Sequence, residues 1–244
     1  MLTNSLITPP SKIIGILGGM GPMAGVDMLA KFIARTNEYG KATCDQDHIP
    51  VLLSSIPDVP DRSEFLLKNG QDPYPHLLSY AKNLQNAGAT CLVIACNTAH
   101  YWFDRLQADL PNLTMLSMID TTVQSAAANG KNNIGILATN ATLATGLYKD
   151  KIRGAGLHYL EPNHDDQQAV MESIYLYKAG QVDKAITLMT TQKDKLISQG
   201  ADIIIMGCTE VPLILADDQR THPQHYIDAT QALVDEAIAW CYQN

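Results

Sequence analysis

The sequence predicts an α/β protein built from two similar halves, each a parallel sheet covered by helices on both faces. Three observations carry this. Short, continuously apolar runs alternate with amphipathic segments of helical period along most of the chain. The runs lack the polar/apolar alternation of a half-solvated sheet, so their strands are buried on both sides. The pattern also occurs twice: Ile14-Gly15-Ile16-Leu17 returns as Ile134-Gly135-Ile136-Leu137, and Gly88-Ala89 leads into Cys96 with the spacing by which Gly200-Ala201 leads into Cys208.

In order, Lys12–Leu17 reads as a strand and Ala24–Asn37 as a helix, with Pro22 where a first helical turn tolerates it. Val51–Ser55 is a strand and Pro75–Ala87 a helix stopped at Gly88. Cys91–Ala95 is a strand, Thr98–Asp109 a helix and Thr114–Ser117 a short strand. The second series has strand Asn133–Ala138, helix Leu143–Ala155, strand Leu157–Leu160, helices Gln167–Lys178 and Val182–Gln199, strand Ile203–Met206 and helix Thr230–Tyr242.

The 244 residues suffice for one large domain or two small ones. Hydrophobic residues make up 46%, charged residues 17% and aromatics only 6%, so the core is aliphatic. The net charge of −8 argues against nucleic-acid or membrane-surface partners. Residues 1–11 read as a flexible extension, not a signal peptide, and no run is long enough to span a membrane, so a cytoplasmic protein is expected. The five cysteines have neither disulfide nor zinc spacing.

Cys96 and Cys208 both stand at the carboxyl end of a strand, where open parallel sheets bind ligands. A following helix N-terminus favours a thiolate, so lowered thiol pKa values are expected. Two thiols facing each other across one cleft are suited to inverting a stereocentre. One removes a proton from one face, and the other delivers a proton to the opposite face. A single cysteine there is more often a small core residue, which is the reading for Cys44, Cys91 and Cys241.

Other features are more ambiguous. Gly19-Met20-Gly21-Pro22-Met23-Ala24 satisfies a dinucleotide fingerprint, with Asp45 and Asp47 as candidate ribose acids, which raises an NAD-binding oxidoreductase as a rival. The same loop can wrap a carboxylate with backbone amides. Arg62 follows the second strand and suits bidentate carboxylate binding, although Asp61 or Ser63 there can equally cap a helix. Lys178 can hold a second carboxylate or simply close its helix. Asn97, Thr98, Thr139, Thr142 and Thr209 can contact a substrate or cap helices. His100 and Glu210 follow the two cysteines closely and could tune them, but read first as exposed first-turn residues; His164-Asp165-Asp166 reads as an acidic loop capping the next helix in preference to a metal site.

Leu17-Gly18-Gly19-Met20-Gly21-Pro22, Pro60-Asp61-Arg62, Cys96-Asn97-Thr98-Ala99-His100 and Gly207-Cys208-Thr209-Glu210 together resemble the aspartate racemases of the aspartate/glutamate racemase superfamily. Cys-Thr-Glu in place of Cys-Thr-His, and Gly-Gly-Met-Gly in place of Asp-Ser-Gly, resemble the aspartate branch. The resemblance implies two domains related by a pseudo-twofold axis, an active site in the cleft between them, no cofactor and a homodimer. Here the domains are expected to be 12–117 plus 225–244, and 118–224. It implies catalysis by Cys96 and Cys208 on a dicarboxylic amino acid, with Arg62, Asn97, Thr98, Ala99 and Lys178 contacting the substrate; Thr209, Met20 and Thr139, at loop starts beside these motifs, are further candidate contacts. Glutamate or a broader set of amino acids would suit the same pair. A non-catalytic amino-acid-binding protein is a third reading.

Overall fold

The computed structural model describes residues 12–40 and 42–243; the extension expected over 1–11 lies outside the described residues. The chain runs β1 (Ile14–Leu17), α1 (Pro22–Gly40), β2 (Val51–Ser54), α2 (Arg62–Lys68), α3 (Tyr74–Asn86), β3 (Cys91–Ile94), α4 (Phe103–Asp109), β4 (Thr114–Met115) and α5 (Met118–Ala128). It continues through β5 (Asn133–Ala138), α6 (Asn140–Ala144), α7 (Leu147–Gly154), β6 (His158–Leu160), α8 (His164–Lys178), α9 (Val182–Ser198) and β7 (Ile203–Gly207). It ends with α10 (Val211–Ile214), α11 (Ala216–Thr221), β8 (Tyr226–Asp228) and α12 (Ala229–Tyr242).

Two four-stranded sheets form, in the orders β2-β1-β3-β4 and β6-β5-β7-β8, and every pairing is parallel. The identical orders are the three-dimensional form of the sequence repeat. Each sheet reverses direction of growth beside its first strand. The loops after β1 and β3, and after β5 and β7, therefore bound the crevices where parallel sheets take ligands.

Strand side chains divide by twos between opposite faces. Ile14, Ile16, Cys91 and Val93 pack under Phe32 of α1 and Leu233 and Ile238 of α12. Leu17, Leu92 and Ile94 pack with Leu77 of α3 and Leu106 of α4. In the second sheet Ile134, Ile136, Ile203 and Ile205 meet α5 and α7, while Leu137, Ile204 and Met206 meet α8 and α9. Helix α5 serves both sheets: its Met118 joins the first core and its Ile119, Val123 and Ala126 the second.

The repeat also explains two glycines. A Cβ on Gly15 would stand 2.9 Å from Ala89 Cβ, and one on Gly135 would stand 2.6 Å from Ile204 Cδ1 and 3.1 Å from Ala201 Cβ. Each strand glycine thus admits the alanine of its own half's Gly-Ala pair. Gly15→Ala and Gly135→Ala are each expected to destabilise the protein by about 1–3 kcal/mol through overpacking, read as a lower urea midpoint.

Several elements differ from the sequence reading. The helix expected over Leu143–Ala155 is broken at Gly146, and the one over Thr98–Asp109 opens with a tighter 3₁₀ turn, Thr98–Trp102. Helices α2, α5, α10 and α11 and strand β8 are not expected from the sequence; most are short, with little periodicity to read. The expected domain division places residues 225–244 wholly in the first half, but the structure splits them. Strand β8 pairs with β7 in the second sheet, whereas α12, capped by Asp228, packs on the first. Lys31 of α1 pairs with Asp228 at 3.0 Å, tying the halves at that crossing. Cys91 and Cys241 are buried as expected of core residues, but Cys44 is exposed.

Candidate active site

One cavity lies between the carboxyl ends of the two sheets, and both Cys96 and Cys208 line it. Cys96 follows β3 and Cys208 follows β7, the matched strands of the two halves. Each thiol also belongs to the matched core face of its sheet. Met20, Arg62, Asn97, Thr98, Thr139, Lys178 and Thr209 line the same cavity, so folding brings together residues from six separate loops and helices. Ala99 does not line it: its side chain is fully buried in the first core.

The Gly18–Gly21 loop takes its shape from close packing. Gly19 has φ +85, and a Cβ there would lie 2.2 Å from Ile56 O, so only glycine fits. The loop delivers Met20 to the cavity and leads into α1. Asp45 and Asp47 sit in a 3₁₀ turn before β2, not at its carboxyl end where a ribose acid would stand. That placement counts against the dinucleotide reading.

Arg62 opens α2, whose N-cap is Asp61, accepting from Glu64 N at 2.8 Å. Asp61 caps the helix, and its neighbour Arg62 lines the cavity. Arg62 Nη1 donates to Val59 O at 3.1 Å and Pro60 O at 3.0 Å, while Nη2 reaches Met20 O at 3.4 Å. Its Nε is buried and has no protein partner among the described residues. One end of the guanidinium is anchored to the loop, and the Nε/Nη2 side remains for a carboxylate.

Asn97 and the threonines tie the halves together. Tyr148 of α7 donates its hydroxyl to Asn97 Oδ1, leaving the buried Asn97 Nδ2 without a protein partner among the described residues. Thr98 of the first half lies 3.1 Å from Thr139 and 2.8 Å from Thr142 of the second, hydroxyl to hydroxyl. Thr139 also caps α6. These hydroxyls are largely committed to one another.

His100 and Glu210 are expected from the sequence to be exposed, and both are buried. His100 Nδ1 donates to Cys96 O at 2.9 Å, while its Nε2 accepts from Met118 N at 3.0 Å, so the ring is neutral and braces the Cys96 loop on α5. Burial lowers its pKa to about 4. Glu210 accepts from Cys208 Sγ at 3.0 Å through Oε2 and pairs with Lys178 Nζ at 3.1 Å through Oε1. The Lys178 side chain is 43% exposed. Desolvation opposes its charge, but Glu210 and the nearby thiols outweigh that and hold its pKa above the ordinary lysine value.

The expectation of a lowered thiol pKa fails at Cys208. Burial, followed by the Glu210 carboxylate, pushes this thiol well above its ordinary value, with Lys178 offsetting only part. The helix after Cys208 is the single turn α10, too short for a large dipole. His164, Asp165 and Asp166 are not a loop before α8, as the sequence suggests, but its first turn, and the cap is Asn163.

A matched pair of parallel sheets, with one cavity lined by a cysteine from each half, is the architecture of an α/β protein with its ligand site between two similar halves. Residues 17–237 match the family described as Asp/Glu/hydantoin racemase. The aspartate racemase of Picrophilus torridus is similar in structure, with a TM-score of 0.80 and 31% identity over 96% of this chain and 95% of that one. The broad specificity amino-acid racemase RacX of Bacillus subtilis is 27% identical over 233 residues, covering 93% of this chain and 97% of that one. An uncharacterized protein from the pnlA 3' region of Pectobacterium carotovorum is 40% identical over 141 residues, 58% of this chain and 93% of that one. The chain belongs to the Asp/Glu/hydantoin racemase family and is an amino-acid racemase of the kind that works without pyridoxal phosphate.

Proposed function

We propose that the protein interconverts L- and D-aspartate, with Cys96 and Cys208 acting on opposite faces of the α-carbon. The observation that carries this reading is a single cavity lined by both thiols and by two cations, Arg62 and Lys178. In one direction the Cys96 thiolate takes the α-proton and the C–H electron pair passes to the α-carbon. The Cys208 S–H then gives its proton to the opposite face and is left as thiolate. The reverse direction exchanges the roles. Arg62 and Lys178 each hold one carboxylate, and the free Asn97 Nδ2 donates to the charge that develops on the α-carboxylate. The similarity to an aspartate racemase supports the substrate.

A broader specificity has its own support. A second cavity, bounded by Gly19, Pro57 and Tyr177, shares Met20, Asp61, Arg62, Lys178 and Glu210 with the first. A longer side chain, as in glutamate, has room to extend there, and a broad-specificity racemase is among the relatives. The cytoplasmic location and the homodimer belong to the same proposal; among the described residues no helix is long and apolar enough to cross a membrane.

The test is α-proton washout from L- and D-amino acids in heavy water, followed by NMR. Both enantiomers of aspartate are expected to lose the α-proton signal and converge on a racemic mixture. Exchange of other amino acids but not aspartate would reassign the substrate. Aspartate binding with no exchange would leave a binding protein and end the proposal.

A further inference from the structure

The two halves are not chemically equal at the thiols. Two residues after Cys208 stands Glu210; two residues after Cys96 stands Thr98, a neutral hydroxyl engaged with Thr139 and Thr142. Glu210 is buried, and its two oxygens reach two different partners, the Cys208 sulfur and the Lys178 ammonium. Among the described residues no other carboxylate hydrogen-bonds a cavity thiol.

We propose that Glu210 is a positioning residue that makes the thiols unequal at rest, holding the Cys208 proton on sulfur and Lys178 at the cavity wall. The inference rests on the two-thiol reading above. A buried carboxylate can accept from an S–H but repels a thiolate. The empty enzyme is therefore set to start with Cys96 as base and Cys208 as acid. A turnover in that direction leaves Cys208 as thiolate beside Glu210, the less stable arrangement, and proton exchange with solvent returns the resting form. The equilibrium constant between enantiomers is unity, so kcat/KM must stay equal in the two directions with or without Glu210. The inequality shows in the thiols and in kcat and KM separately.

The other ionisable groups around Cys208 come from several elements. Lys178 and Tyr175 share its cavity from α8, Arg62 and Asp61 from the start of α2, and Cys96 from the end of β3. The cations favour the thiolate, and Asp61 opposes it from a more exposed position. Tyr148 is buried and its pKa is pushed up, chiefly by burial, so it stays neutral. Glu210 is the anion in direct contact with the sulfur.

The experiment is alkylation by iodoacetamide as a function of pH, read cysteine by cysteine by peptide mass spectrometry on the full chain. In Glu210→Gln the Cys208 curve is expected to move down by about one pH unit or more, and the Cys96 curve by less. Cys91 and Cys241, buried in the first core, report on folding. A Cys208 curve that stays in place or moves up while those two remain protected would overturn the proposal. If Glu210→Gln exposes them, Lys178→Met reads the same triad with opposite sign. There the Cys208 curve is expected to move up, and an unmoved or lowered curve overturns the proposal. The titration needs no turnover, so failure of the racemase reading, seen as absent α-proton washout in the wild type, is recorded separately.

Discussion

Cys96→Ala and Cys208→Ala are each expected to lower racemisation by about 10³-fold or more in both directions, since in the proposed mechanism each direction uses one thiol as base and the other as acid. The fold should survive. Each cysteine packs in an apolar cluster, and alanine removes only one sulfur atom, a small cavity by the standards of core truncations. The two variants should differ in α-proton exchange. With Cys208 gone, Cys96 can still take and return a proton on its own face, so one enantiomer exchanges in heavy water without inverting. With Cys96 gone, the other enantiomer should do so. Stereospecific washout by NMR, beside polarimetry for racemisation, reads both effects. Full racemisation by either variant would remove the two-base mechanism.

Arg62→Lys is expected to cost about 10²-fold in kcat/KM, mostly as a rise in KM. The guanidinium does two things that an ammonium cannot do together. Its Nη1 anchors to Val59 O and Pro60 O, while the buried Nε has no protein partner among the described residues and the residue lines the cavity. Charge-assisted hydrogen bonds contribute about 1.5–3 kcal/mol each, and losing the fork at this level corresponds to roughly two decades. A contact made equally to bound substrate and transition state changes KM more than kcat. Steady-state kinetics on aspartate checks this. An unchanged KM with lowered stability would make Arg62 only a brace for its loop.

Much of the site is legible in the amino-acid order. The strands β1, β3, β5 and β7 are apolar runs bounded by glycine, and their repetition marks Cys96 and Cys208 as a pair. Both cysteines fall at strand ends because a buried run that stops at a polar loop has few other places to stop. Arg62 stands out at the site end of the sheet, whereas Lys178 reads by itself as a helix-closing lysine and joins the site only through the family resemblance; both line the cavity. Glu210 and His100 read as exposed and are buried. Their positions after the thiols are plain in the chain, but burial depends on what the opposite half brings against them, and local sequence carries no information about that. Helix α5 escapes the sequence reading although Ser117 caps it, accepting from Asp120 N, because its small and polar residues give a weak stripe. Strand β8 escapes it because so short a run gives no period.

The sequence by itself determined the α/β class, the duplication and the matched positions of Cys96 and Cys208 in the two halves. These depend on local periodicity and on the reuse of one βα pattern, both written along the chain. Only the tertiary structure decided the electrostatics around those thiols. The Cys208 thiol is pushed well above its ordinary value because burial and a carboxylate outweigh a one-turn helix and a half-exposed lysine. That balance comes from desolvation and distances between groups on different elements, so it exists only once the two sheets are brought together.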